Sequence, residues 1–375
     1  MKDKVVKGLL ALSILGMLVG AWGIIEALGY GLNATALGSY TPWGLGVILY
    51  LYFLGLSAGG FMVTIIVYIF GKKQYDVLSP LAAWLVIVTE VCAIIPINLD
   101  LGHWERTYLF ILSPNFLSPM MWMFVFFAAL FLVYLLKAWY YYKKDEAKIR
   151  VLSIISLPVG LFFYGINGYL FAILTGYTIW NSPLTPVMFI VAALLSGGAL
   201  MTFLTWIFYH ERELVYGLGR SVFILLLTFV GLEALNILLG YRGHREEAAA
   251  ALNHMLFGSN WGVFWFLHLL VGTLIPIFLL AKYGRNHQVT AWSCLIIALA
   301  FMTVRIDFVL PAQYVGMLKG LDKAFIHERL RLSYHPNLGE WLVGVFITSL
   351  GLFSFLVGPK VAPSLFPLKE EKPYV

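Results

Sequence analysis

An acid stands where a membrane-crossing run should still be apolar, in Ile97-Asn98-Leu99-Asp100-Leu101-Gly102-His103. His103 and Arg106 follow Asp100 within six residues. A carboxylate, a titratable donor and a fixed cation so close together form a set able to bind a quinone carbonyl and exchange its protons. A second acid, Glu90, lies in the middle of the same run with nothing on its own helix to neutralise it. A desolvated carboxyl holds its proton more readily, as suits a group that takes up and releases protons. The two acids lie about 15 Å apart along one helix, so Glu90 is placed to extend a proton path inward from Asp100, with Asn98 and buried water as relay.

Other ionisable residues inside apolar runs are Glu233, His268, Arg305, Asp307 and, at the start of the last run, Glu340. Such groups usually face a bundle interior or a wet cavity, and each is read as part of a proton path or as a structural ion pair. Arg305 and Asp307 are about 200° apart around a helix, so they point to different partners. The two cysteines, Cys92 and Cys294, both lie in apolar runs, and no Cys-x-x-Cys occurs. That excludes an iron–sulfur ligand set and covalent haem, and no metal site is expected. His268 is the one histidine well inside a run, so haem held by paired histidines is not expected either.

These side chains must be carried by a bilayer-spanning scaffold. The chain has 375 residues, 61% of them hydrophobic and 12% charged, a balance unlike that of a soluble domain. A helix crossing hydrocarbon needs about 20 mainly apolar residues. Ten runs qualify, near 5–29, 43–70, 80–101, 119–141, 151–178, 184–209, 218–240, 259–281, 289–310 and 338–358. The expected fold is an all-α integral membrane protein. The first run lacks a small-x-small cleavage pattern and is read as a retained helix rather than a signal peptide.

Most of the 25 Lys and Arg fall at the N-terminus, in the even-numbered connections and in the C-terminal tail. Basic residues accumulate on the cytoplasmic side, so both termini are expected in the cytoplasm and the connection after Asp100 on the outer face of a multi-pass cytoplasmic (inner) membrane protein. Arg305 is the one basic residue placed inside a span. The net charge of +6 follows from the same bias and implies no nucleic acid.

The chain also matches itself at a shift of 138 residues. Gly59-Gly60 falls on Gly197-Gly198, Thr64 on Thr202, and Ile97-Asn98-Leu99-Asp100-Leu101-Gly102-His103 on Leu235-Asn236-Ile237-Leu238-Leu239-Gly240-Tyr241. Helices four apart share direction, so this reads as a parallel repeat of two four-helix bundles, spans two to five and six to nine, with a flanking helix at each end. The expected divisions are 1–42, 43–178, 184–310 and 311–375. The second copy keeps Asn and Gly but has Leu in place of the acid, so the helix end does not require Asp100. Gly55-Leu56-Ser57-Ala58-Gly59-Gly60 is a small-residue patch that lets helices approach closely.

Three segments resemble the polysulfide reductase membrane subunits, the NrfD/PsrC group. The first is Pro42-Trp43-Gly44 leading into Gly55 to Gly60. The second is Leu99-Asp100-Leu101-Gly102 followed by Ser113-Pro114-Asn115 and Ser118-Pro119-Met120. The third is Gly168-Tyr169-Leu170, then Trp180-Asn181-Ser182-Pro183-Leu184 and Ser196-Gly197-Gly198. Tyr334-His335-Pro336 with Glu340 is similar to the pattern before the last helix of ten-helix members. The resemblance implies a haem-free membrane subunit that binds menaquinone or ubiquinone near the outer face. It would exchange electrons with an extracytoplasmic four-cluster iron–sulfur subunit attached to a catalytic subunit, molybdopterin-dependent or other. Asp100 transfers directly onto the family's Asp-Leu-Gly. The family's head-group tyrosine two residues before the fifth-span glycine is replaced by Ile166, leaving Tyr164, Asn167 or Tyr169 as its substitutes.

A transporter or ion channel is the rival reading, since ten helices with a repeat and buried charges fit that too; against it, no paired Gly/Pro-broken helices occur in corresponding places. A haem-bearing anchor is the other. A reduced-minus-oxidised visible spectrum of the purified chain is expected to show no haem band, and the appearance of one would overturn the haem-free expectation.

Overall fold

A computed structural model describes residues 2–243, 245–317, 320, 327 and 329–366. Among the described residues, ten helices are long and apolar enough to cross a membrane. They are α1 (Lys2–Tyr30), α2 (Leu45–Tyr68), α3 (Ser79–Asp100), α4 (Pro119–Lys143), α5 (Glu146–Ala172), α6 (Thr185–Phe208), α7 (Arg212–Arg242), α9 (Val263–Tyr283), α10 (His287–Gln313) and α11 (Leu338–Val361). Between α7 and α9 lies α8 (Glu246–Leu256), far too short to span. Its buried Ala248, Ala251, Leu252 and Met255 recur at helical spacing and turn one face inward.

Local sequence sets the boundaries. Pro119 opens α4 and Pro186 falls in the first turn of α6, where a missing N–H costs nothing. The Asp145 side chain accepts from Lys148 N–H at the start of α5, Asn286 caps α10, and Asn337 with Glu340 forms a capping box on α11. Lys144, with φ of 56°, ends α4 in the left-handed conformation.

Helices α2 to α5 pack as one four-helix bundle and α6, α7, α9 and α10 as a second, joined along α2 and α6. The outer pair α1 and α11 pack on each other, and α11 lies against α3. At the junction the bundles meet backbone to backbone. A Cβ on Gly59 would collide with the Gly197 carbonyl oxygen, and one on Gly197 with the Gly59 nitrogen. These glycines are partners in the internal repeat. The repeat shows in the hydrogen bonds too: the Thr64 hydroxyl donates to the Gly60 carbonyl at 3.0 Å, and the Thr202 hydroxyl to the Gly198 carbonyl at 2.7 Å.

Three features depart from the sequence reading. The fifth span ends at Ala172, not near residue 178, and the chain then turns to bury Trp180. Arg305 is not the only basic residue within a helical span: Lys137 lies inside α4, 1% exposed, with Nζ 4.6 Å from the Tyr134 ring centroid. The eighth span is π-helical over Val263–Leu274 before continuing as α-helix.

Gly197→Leu is expected to abolish accumulation of the folded chain, because overpacking of about 1–3 kcal/mol or more falls on a backbone contact that cannot yield. Gly231→Leu, on α7 with no neighbour within 4 Å of its would-be Cβ, is the control expected to accumulate normally. Membrane yield and detergent melting of the two variants check this.

Candidate functional site

The chemistry-bearing end of the first bundle is built on the N-terminus of α2. The first N–H groups of a helix lack intrahelical acceptors, and here side chains from distant segments satisfy them. Leu45 N–H donates to the Tyr334 hydroxyl at 2.8 Å, and Val47 N–H donates to the Asp100 carboxylate. Just before the helix, Trp43 N–H donates to Gln313 Oε1 at 3.0 Å while Gln313 Nε2 returns a bond to the Trp43 carbonyl at 2.8 Å. A carboxylate at the positive end of a helix is favourably placed. Gly46 makes the approach possible, since a Cβ there would lie 2.7 Å from Asp100 Cγ.

Asp100 faces two cavities. One, about 30 Å³, lies between α1, α3 and α11 and is also lined by Glu26 and Glu340. Glu340 is committed to structure: it accepts from the Tyr334 hydroxyl at 2.5 Å and from the N–H groups of Ala36 and Asn337, both at 3.0 Å. Burial, then the neighbouring Glu340 charge, push the Tyr334 phenol above its ordinary range, so it remains a donor.

The other cavity, about 160 Å³, lies between α2, α3, α4 and α5. Its walls are mostly apolar, with Trp43, Phe110, Phe124 and Phe127 among them, and Phe110 stacks on Phe124 at 5.0 Å. Leu101 and Met120, 40% and 43% exposed, stand at its rim. The polar groups reaching it are few: Asp100, Asn98, Thr107 and Tyr50. Thr107 donates to Asn98 Oδ1 at 2.9 Å, and the Tyr50 hydroxyl donates to Asn167 Oδ1 at 2.8 Å. An apolar hollow with a few convergent polar groups is the usual form of a small-molecule site. An apolar cavity of about 150 Å³ accepts a benzene-sized ring, so a planar head group fits here.

The sequence-selected residues divide accordingly. Asp100 lines the cavity, and Asn167 reaches it through Tyr50. His103 and Arg106 are exposed on the turn beyond Asp100 and do not line it; His103 Nδ1 lies 2.9 Å from Glu105 Oε1 and holds that carboxyl below its usual range. Tyr169 is 47% exposed. Tyr164 is fully buried deeper in the bundle, 2.9 Å from the Ser57 hydroxyl. Glu90 is fully buried with neither oxygen hydrogen-bonded. Glu233, His268 and Asp307 come together in the second bundle. Arg305 is turned away from Asp307 against the rings of Phe189 and Phe301, at 5.0 and 5.3 Å.

Sequence reasoning missed Tyr50, Thr107 and Lys137. A tyrosine among Val-Ile-Leu-Tyr-Leu-Tyr-Phe-Leu reads as apolar filling, and only the lysine carried a signal, as a cation six residues before a helix end.

Ten spans among the described residues, eight of them in two four-helix bundles and a ring-sized cavity in the first, define a multi-pass membrane protein. Residues 34–316 match the family described as polysulphide reductase, NrfD, and the chain belongs to that family. It is 27% identical to a selenate reductase subunit of Mesobacillus selenatarsenatis, over 94% of this chain and 93% of that protein. It is 28% identical to the Hdr-like menaquinol oxidoreductase integral membrane subunit of Archaeoglobus fulgidus, over 88% and 86%. Identity is also 28% to a putative dimethyl sulfoxide reductase membrane subunit of Halobacterium salinarum, over 95% and 90%.

Gly46→Ala is expected to push the Asp100 carboxylate off Val47, leaving a buried N–H unpaired at a cost of about 1–3 kcal/mol. Thermal unfolding of the purified variant should show that loss; an unchanged midpoint would mean that the contact is not formed.

Proposed function

We propose that this chain is the quinone-reactive membrane anchor of a respiratory oxidoreductase complex. The observation that carries this reading is the ring-sized apolar cavity with a carboxylate in its wall. Its relatives are named as a selenate reductase subunit and as membrane subunits of a menaquinol oxidoreductase and a dimethyl sulfoxide reductase. We read the ligand as menaquinone or ubiquinone. The partners are a four-cluster iron–sulfur subunit and a catalytic subunit, molybdopterin-dependent or other. Charge bias supports placing them on the outer side, with both termini cytoplasmic in the cytoplasmic membrane.

Bound quinone supplies a couple that takes or gives two electrons with two protons. This chain holds the ring and manages the protons. Trp43, Phe124 and Phe127 would flank a flat ring and exclude water from it. Asp100, held by Val47 N–H, is positioned to accept or return a proton at one ring oxygen, and its second cavity towards Glu26 and Glu340 gives that proton a polar neighbourhood on leaving. The Tyr50–Asn167 pair offers a hydroxyl on the α2 wall, the contact left open when Ile166 replaces the family's tyrosine. His103 and Arg106 stand outside the cavity, exposed on the face we assign to the partner. Tyr169, exposed on α5, is left without a contact to the ring in this reading. Glu90, buried deeper on α3, is read as the inward continuation of that proton path.

Asp100→Asn keeps the shape and removes the proton acceptor. In the complete complex, quinol-dependent turnover is expected to fall about 10²–10⁴-fold, while electron exchange between the cluster subunit and a soluble dye stays at the parent level. Undiminished quinol turnover would refute the role given to Asp100.

A further inference from the structure

The internal repeat relates not only helices but cavities. In the first bundle Tyr50, Leu51, Asn98 and Leu170 line the ring-sized cavity. Their partners at the same shift, Met188, Phe189, Asn236 and Phe308, all line a cavity in the second bundle. Asn167 of the first bundle corresponds to Arg305, which also lines it.

The second copy has been rebuilt. Its volume is about 60 Å³ against 160 Å³, well below the cavity of about 150 Å³ that accepts benzene. Leu252 and Met255 of α8 form part of its wall, an element without a counterpart of that length in the first bundle. Its wall is still largely apolar, but it adds three charged side chains, Glu233, Arg305 and Asp307. Behind them His268, 1% exposed, has a carboxylate on each ring nitrogen: Asp307 Oδ2 is 3.0 Å from Nδ1, and Glu233 Oε2 is 3.4 Å from Nε2. His268 is carried by the π-helical stretch of α9, a rare geometry that concentrates at functional sites.

His268 is paired on both sides, but other polar atoms of the cluster are not. Arg305, 2% exposed, has no hydrogen-bond partner for Nε or Nη2, and Asp307 Oδ1 has none either. These unpaired atoms belong to residues lining the chamber, together with Glu233 and Asn236, and supply the two to four polar contacts that each enclosed water needs. The space, about 60 Å³, has room for a few such waters.

We infer that the second bundle contains a proton-holding site, a smaller, hydrated relative of the ring cavity in which Glu233 and Asp307, bridged by the buried His268, share an exchangeable proton with water in the chamber. The charged and titratable groups facing it are Glu233 on α7, His268 on α9, and Asp307 and Arg305 on α10. With both carboxylates ionised and the imidazole protonated, the fixed Arg305 cation makes the set neutral. Loss of the imidazole proton to water leaves one net negative charge, and uptake of a proton from water by either carboxylate leaves one net positive charge. Each change is a single unit beside polar groups, far cheaper than an isolated charge at membrane depth. The inference does not depend on quinone binding to the first bundle.

The test uses the intact complex with quinone extracted. Infrared spectra recorded at a series of pH values are expected to contain a protonated-carboxyl band that Asp307→Asn or Glu233→Gln removes, and imidazole bands that His268→Gln removes. Should a variant fail to assemble, the unsubstituted complex labelled with ¹⁵N-histidine gives the same answer, because His268 is the only buried histidine among the described residues. Its ring nitrogens are expected to change shift with pH and to exchange with deuterium from the solvent. pH-difference spectra identical in the parent and all three variants, or a buried histidine signal unmoved by pH and by deuterium, would overturn the proposal and leave a fixed ion pair. Loss of quinol turnover by Asp100→Asn bears only on the first bundle, so the two readings fail separately.

Discussion

The contact of Gly59 with Gly197 is the constraint on which the rest of the molecule depends. In lipid no hydrophobic force drives helices together, so close backbone approach and the dispersion it permits must do that work. Two helices carrying the same small-residue patch can cross with no side chain between them, and α2 and α6 do so at their repeat-related glycines. This crossing fixes both bundles against one another. It also fixes α2, whose N-terminus then holds Asp100, Tyr334 and Gln313, side chains drawn from three other parts of the chain.

The duplication gives the protein two hollows with one ancestry of position and two different chemistries. The first is wide, mostly apolar and has Asp100 in its wall; the second is narrower, carries Glu233, Arg305 and Asp307 among its apolar residues and is walled in part by α8. Each departure is local: Asp100 against Leu238, Asn167 against Arg305, and an inserted helix between spans. A scaffold satisfied internally by backbone hydrogen bonds tolerates such changes, because only the side chains facing the hollow need alter.

Much of this was legible in the residues. Ten spans follow from hydropathy, and the two bundles follow from the Gly-Gly and Asn-x-x-x-Gly matches. Asp100 stood out because an acid at a helix end is missing from the matching heptad. What escaped was tertiary. Tyr50 is one of several aromatics in an apolar run, and only packing shows that its hydroxyl meets Asn167. The short α8 lies in a segment whose Glu-Glu-Ala-Ala-Ala-Ala start reads as a connection. The π-helical register that brings His268 between Glu233 and Asp307 is set by neighbouring helices, not by its own composition. His103 and Arg106 are adjacent to Asp100 in sequence, but Gly102, at φ of 73°, turns the chain away before they are reached.

The central claim is that a quinone ring occupies the first-bundle cavity. Photolysis of the complete complex with an azido-substituted quinone, followed by peptide mapping, addresses it without reference to turnover. Labelling confined to the lining of that cavity, at Met120, Met123 or the Ile94–Leu101 turn of α3, and suppressed by excess unmodified quinone, is the predicted result. Competable labelling elsewhere in the chain, or in a partner subunit alone, would contradict it.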